Sequence, residues 1–380
     1  MLSDVYFPRV NGVSTSIQTF RRDLAELACE THLIAPRYPA TWNDEPKTHR
    51  VRSRYLPLDP EDRIMVRRDF QRAVAPLKER VDIVHVQTPF LAHYWGVKFA
   101  RECNAKLVVT YHTYFEQYFH HYLPLIPPGW LSGLARSISR AQLKNADLVI
   151  SPSAEIERAL REYGVAVPIE VLPTGLDFEL FRGGDGARFR CEHGIDRERP
   201  VMLTVGRVAF EKNLSFLIDV LGQVQRRVPD VLFVIAGEGP ALDSLHKQAT
   251  RAGLSDNLLF VGYLDRTTGL LDCYRSADVF VFASRTETQG LVLLEAMAVG
   301  TPVVSTAVLG TRTVLDDAKG AVVVAEEVSE FADAVCGVLA VPARQKALSA
   351  AGMRDVEVRW SGPEMARRLL ELYRSLLANP

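Results

Sequence analysis

Short apolar runs recur along the chain and alternate with longer segments in which apolar residues lie three or four positions apart. The first kind is typical of buried strands, and the second kind is typical of amphipathic helices. Their alternation predicts an α/β protein with parallel, doubly wound sheets. The predicted strands are THLIA, DIVHV, KLVVTYH, DLVIS and IEVLP in the first half, and VMLTVGR, VLFVIAGEGP, NLLFVGYLD and DVFVFA in the second.

The segments between these strands are predicted to be helices. Four of these helices have two predicted ends: Gly12 to about Ala28, Glu61 to Glu79, Leu291 to Val299 and Ser361 to Leu377. Three more are predicted to begin at Leu91, Ala154 and Lys212, and a long one is predicted to end near Asn145. Only a fragment of apolar sequence, Met1 to Val5, precedes the first loop, whereas a full buried strand needs several more apolar residues. The pattern therefore leaves open that the natural chain begins before Met1.

The length of 380 residues exceeds that of one typical core, so two domains of similar size are expected. The join is expected where GGDG and HGIDRERP suggest an exposed linker. We therefore predict an N-terminal domain over residues 1–177, a linker over 178–199, a second domain over 200–360 and a C-terminal helix over 361–380.

Composition narrows the class of protein. Hydrophobic residues make up 47% of the chain and charged residues 24%, as in ordinary soluble proteins, and the net charge of −1 argues against nucleic acid as the main partner. Five dispersed cysteines without metal-ligand spacing indicate reduced thiols in the cytoplasm. No apolar run reaches the roughly 18 residues of a membrane span, so any membrane contact is expected to be peripheral.

Two carboxylates, Glu287 and Glu295, lie eight residues apart in a strand, loop and helix segment. Backbone N–H groups at the start of that helix suit an anion such as a phosphate, and they belong to Gln289, Gly290, Leu291 and Val292. A carboxylate would repel a phosphate, so the two glutamates are expected to accept hydrogen bonds from ribose and sugar hydroxyls. The alternative is that both are ordinary charges of a solvated helix.

Two cations follow the first strand of the second half. Arg207 ends VMLTVGR, and Lys212 lies five residues further on. In parallel sheets ligands bind beyond the carboxyl ends of the strands, so both side chains fit a site that neutralises a diphosphate. The alternative is that both are solvated loop residues. Gly12, at a strand-to-helix turn, fits either close approach of the backbone to a phosphate or a plain Asn-Gly turn. His112 lies at the ligand edge of the first sheet, where it fits either a ligand contact or a structural role.

An aromatic segment broken by prolines, TYFEQYFHHYLPLIPPGW, follows His112. It fits either a surface that enters a lipid interface or a buried loop that packs the next helix. The predicted helix from Glu61 mixes Arg63, Arg67, Arg68 and Arg72 with apolar residues. Such a helix fits either contact with anionic lipid headgroups or a solvated face.

These motifs together resemble the family 4 retaining glycosyltransferases. The resemblance rests on the NG loop, the histidine after a strand, PTGLD, VGR…K, GEGP, FVGYL and TETQGLVLLEAMAVGTPVV, in family order. It implies the GT-B arrangement, with two Rossmann-like domains facing a cleft and a C-terminal helix that crosses back to the first domain. It also implies that the domain over 1–177 binds the acceptor and that the domain over 200–360 binds the nucleotide sugar. HTYFEQYFHHYLP is similar to the diacylglycerol glucosyltransferases of that family.

The resemblance also implies roles for individual residues. The catalytic set would be His112, Arg207, Lys212 and Glu287. The donor site would contain Gly12, Arg207, Lys212, Leu264, Glu287, Gln289, Gly290, Leu291, Val292 and Glu295, with Leu264 at the base. The acceptor site would contain Tyr6, His112, Tyr114, Phe115 and Tyr118. No metal ligand is implied.

The expected activity is transfer of a hexose, first of all glucose from UDP-glucose, to a hydroxyl acceptor such as diacylglycerol, with retention of configuration and without cofactor or metal. The expected location is the cytoplasm, with peripheral contact to an anionic membrane. Three alternatives remain open: a soluble sugar or polyprenyl-linked acceptor, a GT-B UDP-sugar epimerase, and a sugar-nucleotide sensor without activity.

Overall fold

The computed structural model describes residues 1–40, 42–56, 59–114 and 128–378. The chain divides into two compact units, the first formed by Met1–Gly175 together with Gly362–Pro380, and the second by Leu176–Ser361. Among the described residues, no helix has both the length and the hydropathy that a membrane span requires.

The strands are β1 (Leu33–Pro36), β2 (Thr48–Val51), β3 (Ser53–Leu56), β4 (Asp59–Met65), β5 (Ile83–Val86), β6 (Lys106–Thr110), β7 (Leu148–Ser151), β8 (Ile169–Val171), β9 (Val201–Val205), β10 (Leu232–Ala236), β11 (Leu258–Gly262), β12 (Val279–Phe282), β13 (Val303–Ser305) and β14 (Ala321–Val323). The helices are α1 (Gly12–Glu26), α2 (Arg67–Val74), α3 (Leu91–Cys103), α4 (Pro128–Leu143), α5 (Ala154–Glu162), α6 (Phe178–Phe181), α7 (Gly186–Glu192), α8 (Leu214–Gln225), α9 (Leu242–Arg251), α10 (Gly269–Ser276), α11 (Leu291–Ala298), α12 (Gly310–Leu315), α13 (Val328–Leu339), α14 (Pro342–Arg359) and α15 (Gly362–Ala378).

Parallel strands form the sheet of the first unit. β1 pairs with β2, and β5, β6, β7 and β8 pair in that order. Leu2 joins the two groups, because it forms parallel bridges to Ile34 in β1 and to Val86 in β5. The predicted parallel sheet is confirmed, and the short first strand is reduced to the bridge at Leu2.

A β-hairpin replaces the start of one predicted helix. The helix expected over Glu61–Glu79 was wrong at its beginning, since β4 extends to Met65 and pairs antiparallel with β3. Helix α2 begins only at Arg67. In β4 the side chains alternate, with Arg63 and Met65 buried and Ile64 exposed, which is the period of a strand. The Arg63 guanidinium lies 3.8 Å from the centre of the Tyr55 ring on β3. This cation–π contact joins the two strands of the hairpin.

The C-terminal helix α15 packs in the first unit. Its apolar face shares a cluster with Phe20 and Leu24 of α1 and with strands β6 and β7. The face consists of Met365, Ala366, Leu369 and Tyr373. The expectation that the chain returns from the second domain to the first is therefore confirmed.

The sheet of the second unit is parallel throughout, in the order β11-β10-β9-β12-β13-β14. In chain order this is 3-2-1-4-5-6, the order of dinucleotide-binding Rossmann folds. Apolar clusters cover both faces of the sheet. The strand order reverses between β9 and β12, and ligands of such sheets bind at the carboxyl edge at this switch point.

The predicted exposed linker over residues 178–199 is instead part of the second unit. It contains α6 and α7, whose Phe181 and Phe189 are buried in the core. Its glycines serve close packing. A Cβ at Gly186 would lie 2.3 Å from the carbonyl oxygen of Arg275 at the end of α10. The GGDG sequence therefore marks a tight helix contact, which has the same composition as a flexible linker.

Candidate active site

Two turns pack against each other at the carboxyl ends of β9 and β10. Gly206 donates its N–H to the carbonyl of Ala236 at 2.9 Å, and Val208 donates to that of Glu238 at 2.8 Å. A Cβ at Gly237 would lie 2.0 Å from the Gly206 oxygen, so only glycine allows this approach. The GEG turn thus fixes the backbone on both sides of Arg207, whose side chain is half-buried.

Lys212 and Glu287 meet at the switch point of the second sheet. The Lys212 Nζ lies 2.5 Å from Glu287 Oε1, and each side chain keeps about a fifth of its surface exposed (23% and 20%). Lys212 ends a 3-10 turn over Phe210–Lys212, and α8 begins after it at Leu214, so the expectation that Lys212 opens the helix was wrong. The contact joins a cation after β9 to a carboxylate after β12.

The start of α12 packs against the backbone of the loop that carries Glu287. Gly310 donates its N–H to the carbonyl of Glu287 at 2.9 Å. A Cβ at Gly310 would lie 2.0 Å from the carbonyl oxygen of Thr288, so the two backbones are in direct contact. Sequence reasoning missed Gly310, because its only signal is a lone glycine after β13.

Helix α11 begins directly after this loop. Gly290 precedes it with φ +93°, a left-handed conformation that favours glycine. The N–H groups of the first turn project from such a helix end. Of the four predicted amide positions, Gln289 and Gly290 are buried, and Leu291 and Val292 are half-buried.

Glu295 lies inside the second unit, with 3% of its surface exposed. Its Oε1 accepts a hydrogen bond from Arg266 Nη2 at 3.1 Å, and its Oε2 accepts one from the Tyr274 hydroxyl at 2.8 Å. Burial, and then the nearby Glu295, raises the pKa of Tyr274 well above its usual range, so the phenol stays protonated and donates. Sequence reasoning missed Arg266 and Tyr274. Leu264, the predicted base contact, is half-buried in the loop after β11.

His112 follows β6 at the carboxyl edge of the first sheet. Its Nε2 lies 3.0 Å from Gln87 Oε1, a residue that follows β5 and that sequence reasoning missed. With the amide oxygen as acceptor, Nε2 carries the hydrogen and Nδ1 keeps its lone pair. Burial lowers the pKa of His112 to about 4, so the imidazole is neutral at pH 7.

Asp4 is a second group of this edge that the sequence did not single out. Its carboxylate accepts hydrogen bonds from the Thr88 hydroxyl at 2.8 Å and from the backbone N–H of Ala92 at 3.0 Å. Burial raises the pKa of Asp4 to about 6 despite these bonds. The residue ties the segment after Leu2 to the start of α3.

The other residues predicted in the first unit occupy different settings. A Cβ at Gly12 would meet no protein atom within 4 Å. Tyr6 is in the interior, with 1% of its surface exposed, and packs on Phe7. The role of Tyr6 as an acceptor contact stays a prediction. Tyr114 is half-buried with its ring 6.3 Å from that of Tyr163.

Phe115 and Tyr118 lie outside the described residues, as does most of the aromatic segment after His112. Within the described part of the chain, no group of three or more His, Cys, Asp and Glu side chains is arranged to hold a metal ion.

Comparison with known proteins agrees with the fold. Residues 10–180 match the sequence profile of Glycosyltransferase Family 4, and residues 186–355 match that of Glycosyl transferases group 1. The chain resembles the sucrose-phosphate synthase of Thermosynechococcus elongatus with a TM-score of 0.78 and 23% identity, over 100% of this chain and 99% of that one. The fold is that of a GT-B glycosyltransferase.

Two curated relatives narrow the class. The α-monoglucosyldiacylglycerol synthase of Streptococcus pneumoniae is 32% identical over 317 residues, which cover 80% of this chain and 70% of the relative. The GDP-mannose-dependent α-(1-6)-phosphatidylinositol monomannoside mannosyltransferase of Mycobacterium tuberculosis is 33% identical over 258 residues, which cover 65% and 66% of the two chains. The chain belongs to glycosyltransferase family 4.

Proposed function

We propose that the protein transfers glucose from UDP-glucose to a hydroxyl of a membrane lipid such as diacylglycerol, with retention of configuration and without a metal ion. Similarity to the pneumococcal α-monoglucosyldiacylglycerol synthase supports glucose and the lipid acceptor. The observation that carries the reaction is the contact of Lys212 with Glu287 at the switch point of the second sheet. A sugar diphosphate requires both a cation for its phosphates and an acceptor for its hydroxyls.

In this proposal each predicted group of the second unit has one task. Arg207 and Lys212 stabilise the departing diphosphate, together with the amides at the start of α11. Glu287 accepts hydrogen bonds from the hexose hydroxyls and Glu295 from those of the ribose. The backbone at Leu264 holds the base. Fixed donors of this kind perform the charge stabilisation that a divalent cation supplies in other transferases.

The chemical step exchanges one bond at the anomeric carbon. The acceptor oxygen forms a bond to that carbon while the bond to the β-phosphate oxygen breaks, and the acceptor proton moves to the leaving phosphate. Attack from the face of the departing phosphate yields an α-glucoside and UDP. His112 is assigned to position the sugar and the acceptor hydroxyl, and its neutral Nδ1 can accept a hydrogen bond from a hydroxyl.

Peripheral membrane contact is part of the proposal. Arg67 and Arg68 of α2 are exposed, and Tyr55 of the adjacent hairpin is 61% exposed. Asp69 forms an ion pair with Arg52, and this pairing weakens the repulsion between Asp69 and an anionic surface. Each basic residue near such a surface contributes about 1 kcal/mol of attraction. We infer that this hairpin and helix lie against anionic headgroups.

A second candidate follows from the mycobacterial relative, whose printed name states dependence on GDP-mannose and a phosphatidylinositol monomannoside acceptor. Under this candidate the same groups bind the diphosphate and the hydroxyls, and only the base and the hexose differ.

The decisive experiment supplies labelled UDP-glucose or GDP-mannose with anionic vesicles that contain or lack diacylglycerol. We expect labelled α-glucosyldiacylglycerol from UDP-glucose alone. Equal transfer from UDP-glucose to soluble sugars without vesicles would contradict the lipid acceptor, and turnover of GDP-mannose only would contradict the donor. Conversion of the nucleotide sugar without transfer would indicate an epimerase.

A further inference from the structure

The Glu295 carboxylate is held by two donors from outside its own helix. Tyr274 lies on α10 and is fully buried, and Arg266 lies in the loop between β11 and α10 with 15% of its side chain exposed. One donates to each carboxylate oxygen, at 2.8 Å and 3.1 Å. Rotation of the carboxylate would break both bonds, so its orientation is set before any ligand arrives.

This arrangement leaves acceptor capacity on both oxygens. A carboxylate offers about four lone-pair sites, of which Arg266 and Tyr274 use one on each oxygen. One further lone pair therefore remains on each oxygen, and the two oxygens of a carboxylate are adjacent to each other. Two hydroxyls on adjacent carbons, such as the 2′- and 3′-hydroxyls of a ribose, can donate to a pair of acceptors spaced in this way. A 2′-deoxyribose can satisfy only one of them.

A purely structural role explains the group poorly. The neighbouring buried positions of α11 are apolar, namely Leu293, Leu294, Ala296 and Met297. Replacing a buried charged group by a packed apolar side chain is often neutral or stabilising, so packing alone gives no reason for a glutamate here. A buried carboxylate that accepts hydrogen bonds from two side chains, near the switch point of a sheet with the Rossmann strand order, is typical of a binding site.

We propose that Tyr274 and Arg266 are positioning residues that set Glu295 to recognise a vicinal diol, and that they thereby make the enzyme select ribonucleotide donors over 2′-deoxyribonucleotide donors. The inference rests on the proposed function, since it assigns Glu295 to the ribose of a nucleotide sugar. The inference adds the residues that create the selectivity.

The test measures the affinity of the full chain for UDP and for 2′-deoxy-UDP by calorimetry, which needs no acceptor. Wild type should bind UDP at least tenfold more tightly. Tyr274→Phe and Arg266→Met should each lose about tenfold or more in UDP affinity, as expected when a hydrogen bond to a charged group is removed. Their affinity for 2′-deoxy-UDP should change little, so the ratio should fall toward one. Arg266→Lys should keep part of the preference for UDP over 2′-deoxy-UDP.

Two further results separate this inference from the proposed function. Glu295→Gln should also lose the preference for the ribonucleotide. If Glu295→Gln loses it while Tyr274→Phe and Arg266→Met keep the wild-type ratio, the positioning roles are overturned and the ribose site stands. If Glu295→Gln keeps the ratio, the ribose assignment itself is overturned. If wild type binds GDP and not UDP, the proposed donor fails and the GDP pair repeats the test. A melting curve of each variant shows that it is folded.

Discussion

The Nζ of Lys212 lies 2.5 Å from the Oε1 of Glu287, although 75 residues separate the two in the chain. The contact exists because β9 and β12 are neighbours in the sheet and because both loops leave at its carboxyl edge. A lysine and a glutamate that neutralise each other here can exchange partners when a diphosphate and a sugar bind.

Replacing either partner should reduce activity strongly. Lys212→Gln should raise the KM for the nucleotide sugar and lower kcat. Glu287→Gln should mainly lower kcat, because the sugar loses its charged acceptor. We expect a loss of about 10²–10³-fold in kcat/KM for each, the usual effect of removing one group that stabilises developing charge. Steady-state kinetics with vesicle-bound acceptor measure the effect.

A matched control is available in the same unit. Asp333 pairs with Arg227 at 2.5 Å on the outside of the protein. Asp333→Asn removes an ion pair of the same length and should leave kcat/KM within about twofold, since exposed pairs contribute little. Equal losses from Asp333→Asn and Glu287→Gln would show that the effect is general.

The turn after β10 should be intolerant of a side chain. Gly237→Ala places a Cβ 2.0 Å from the Gly206 oxygen at φ +139°, so the turn must move and the Arg207 backbone with it. Both the melting temperature and the affinity for UDP should fall. Gly253 also has a positive φ, of +70°, but a Cβ there meets no atom within 4 Å. Gly253→Ala should therefore cost only about 1 kcal/mol of conformational strain and leave UDP affinity unchanged.

Stability should depend on pH through His112. Burial lowers its pKa to about 4 from 6.5, so between these values the folded protein binds fewer protons than the unfolded chain. The contribution of His112 to the free energy of unfolding is complete above pH 6.5 and is lost as the pH falls through 4. In urea titrations from pH 7 to 4, His112→Gln should lose less stability than wild type. A steeper loss in the variant would contradict the buried neutral imidazole.

The amino end of the first unit should gain stability from added apolar chain. A cavity of about 470 Å³ there is lined by apolar residues, among them Leu2, Ile34 and Val84, and at other points by charged residues such as Arg80 and Arg374. Burial lowers the pKa of the Met1 ammonium to about 5, so the folded state disfavours its charge at neutral pH. A variant with Val-Leu-Ile added before Met1 would move this charge out and fill the space.

The melting temperature of the extended variant should rise by about 2–4 °C for each kcal/mol gained. An extension of Ser-Gly-Ser is the matched control, because it moves the charge without filling the cavity. An unchanged or lower melting temperature for Val-Leu-Ile relative to Ser-Gly-Ser would show that the cavity does not accept apolar residues.

Much of the fold could be predicted because buried parallel strands are continuous apolar runs, as in DVFVFA, which forms β12. The sequence pattern gave wrong predictions where the same composition fits two different structures. Glu61–Met65 carries charges and apolar residues that fit a helix, yet Arg63 stacks on Tyr55 and the segment is a strand. GGDG resembles a linker, yet Gly186 is pressed against α10.

Only those candidate site residues that lie in a recognisable motif could be predicted from the sequence. Lys212 and Glu287 each follow a strand, and the rule for parallel sheets brings their loops to one edge. Tyr274 and Arg266 precede Glu295 by 21 and 29 residues, and neither lies in a recognisable motif. Their role depends on how α10 and α11 pack, which the spacing of apolar residues does not specify.

The most direct test of the account is a crystal structure of the protein with bound UDP-glucose. We expect the diphosphate within hydrogen-bond distance of the Lys212 ammonium and the Arg207 guanidinium, with hexose hydroxyls on the Glu287 carboxylate and the Lys212–Glu287 contact lengthened. A nucleotide sugar bound away from these side chains, with that ion pair intact, would contradict the account.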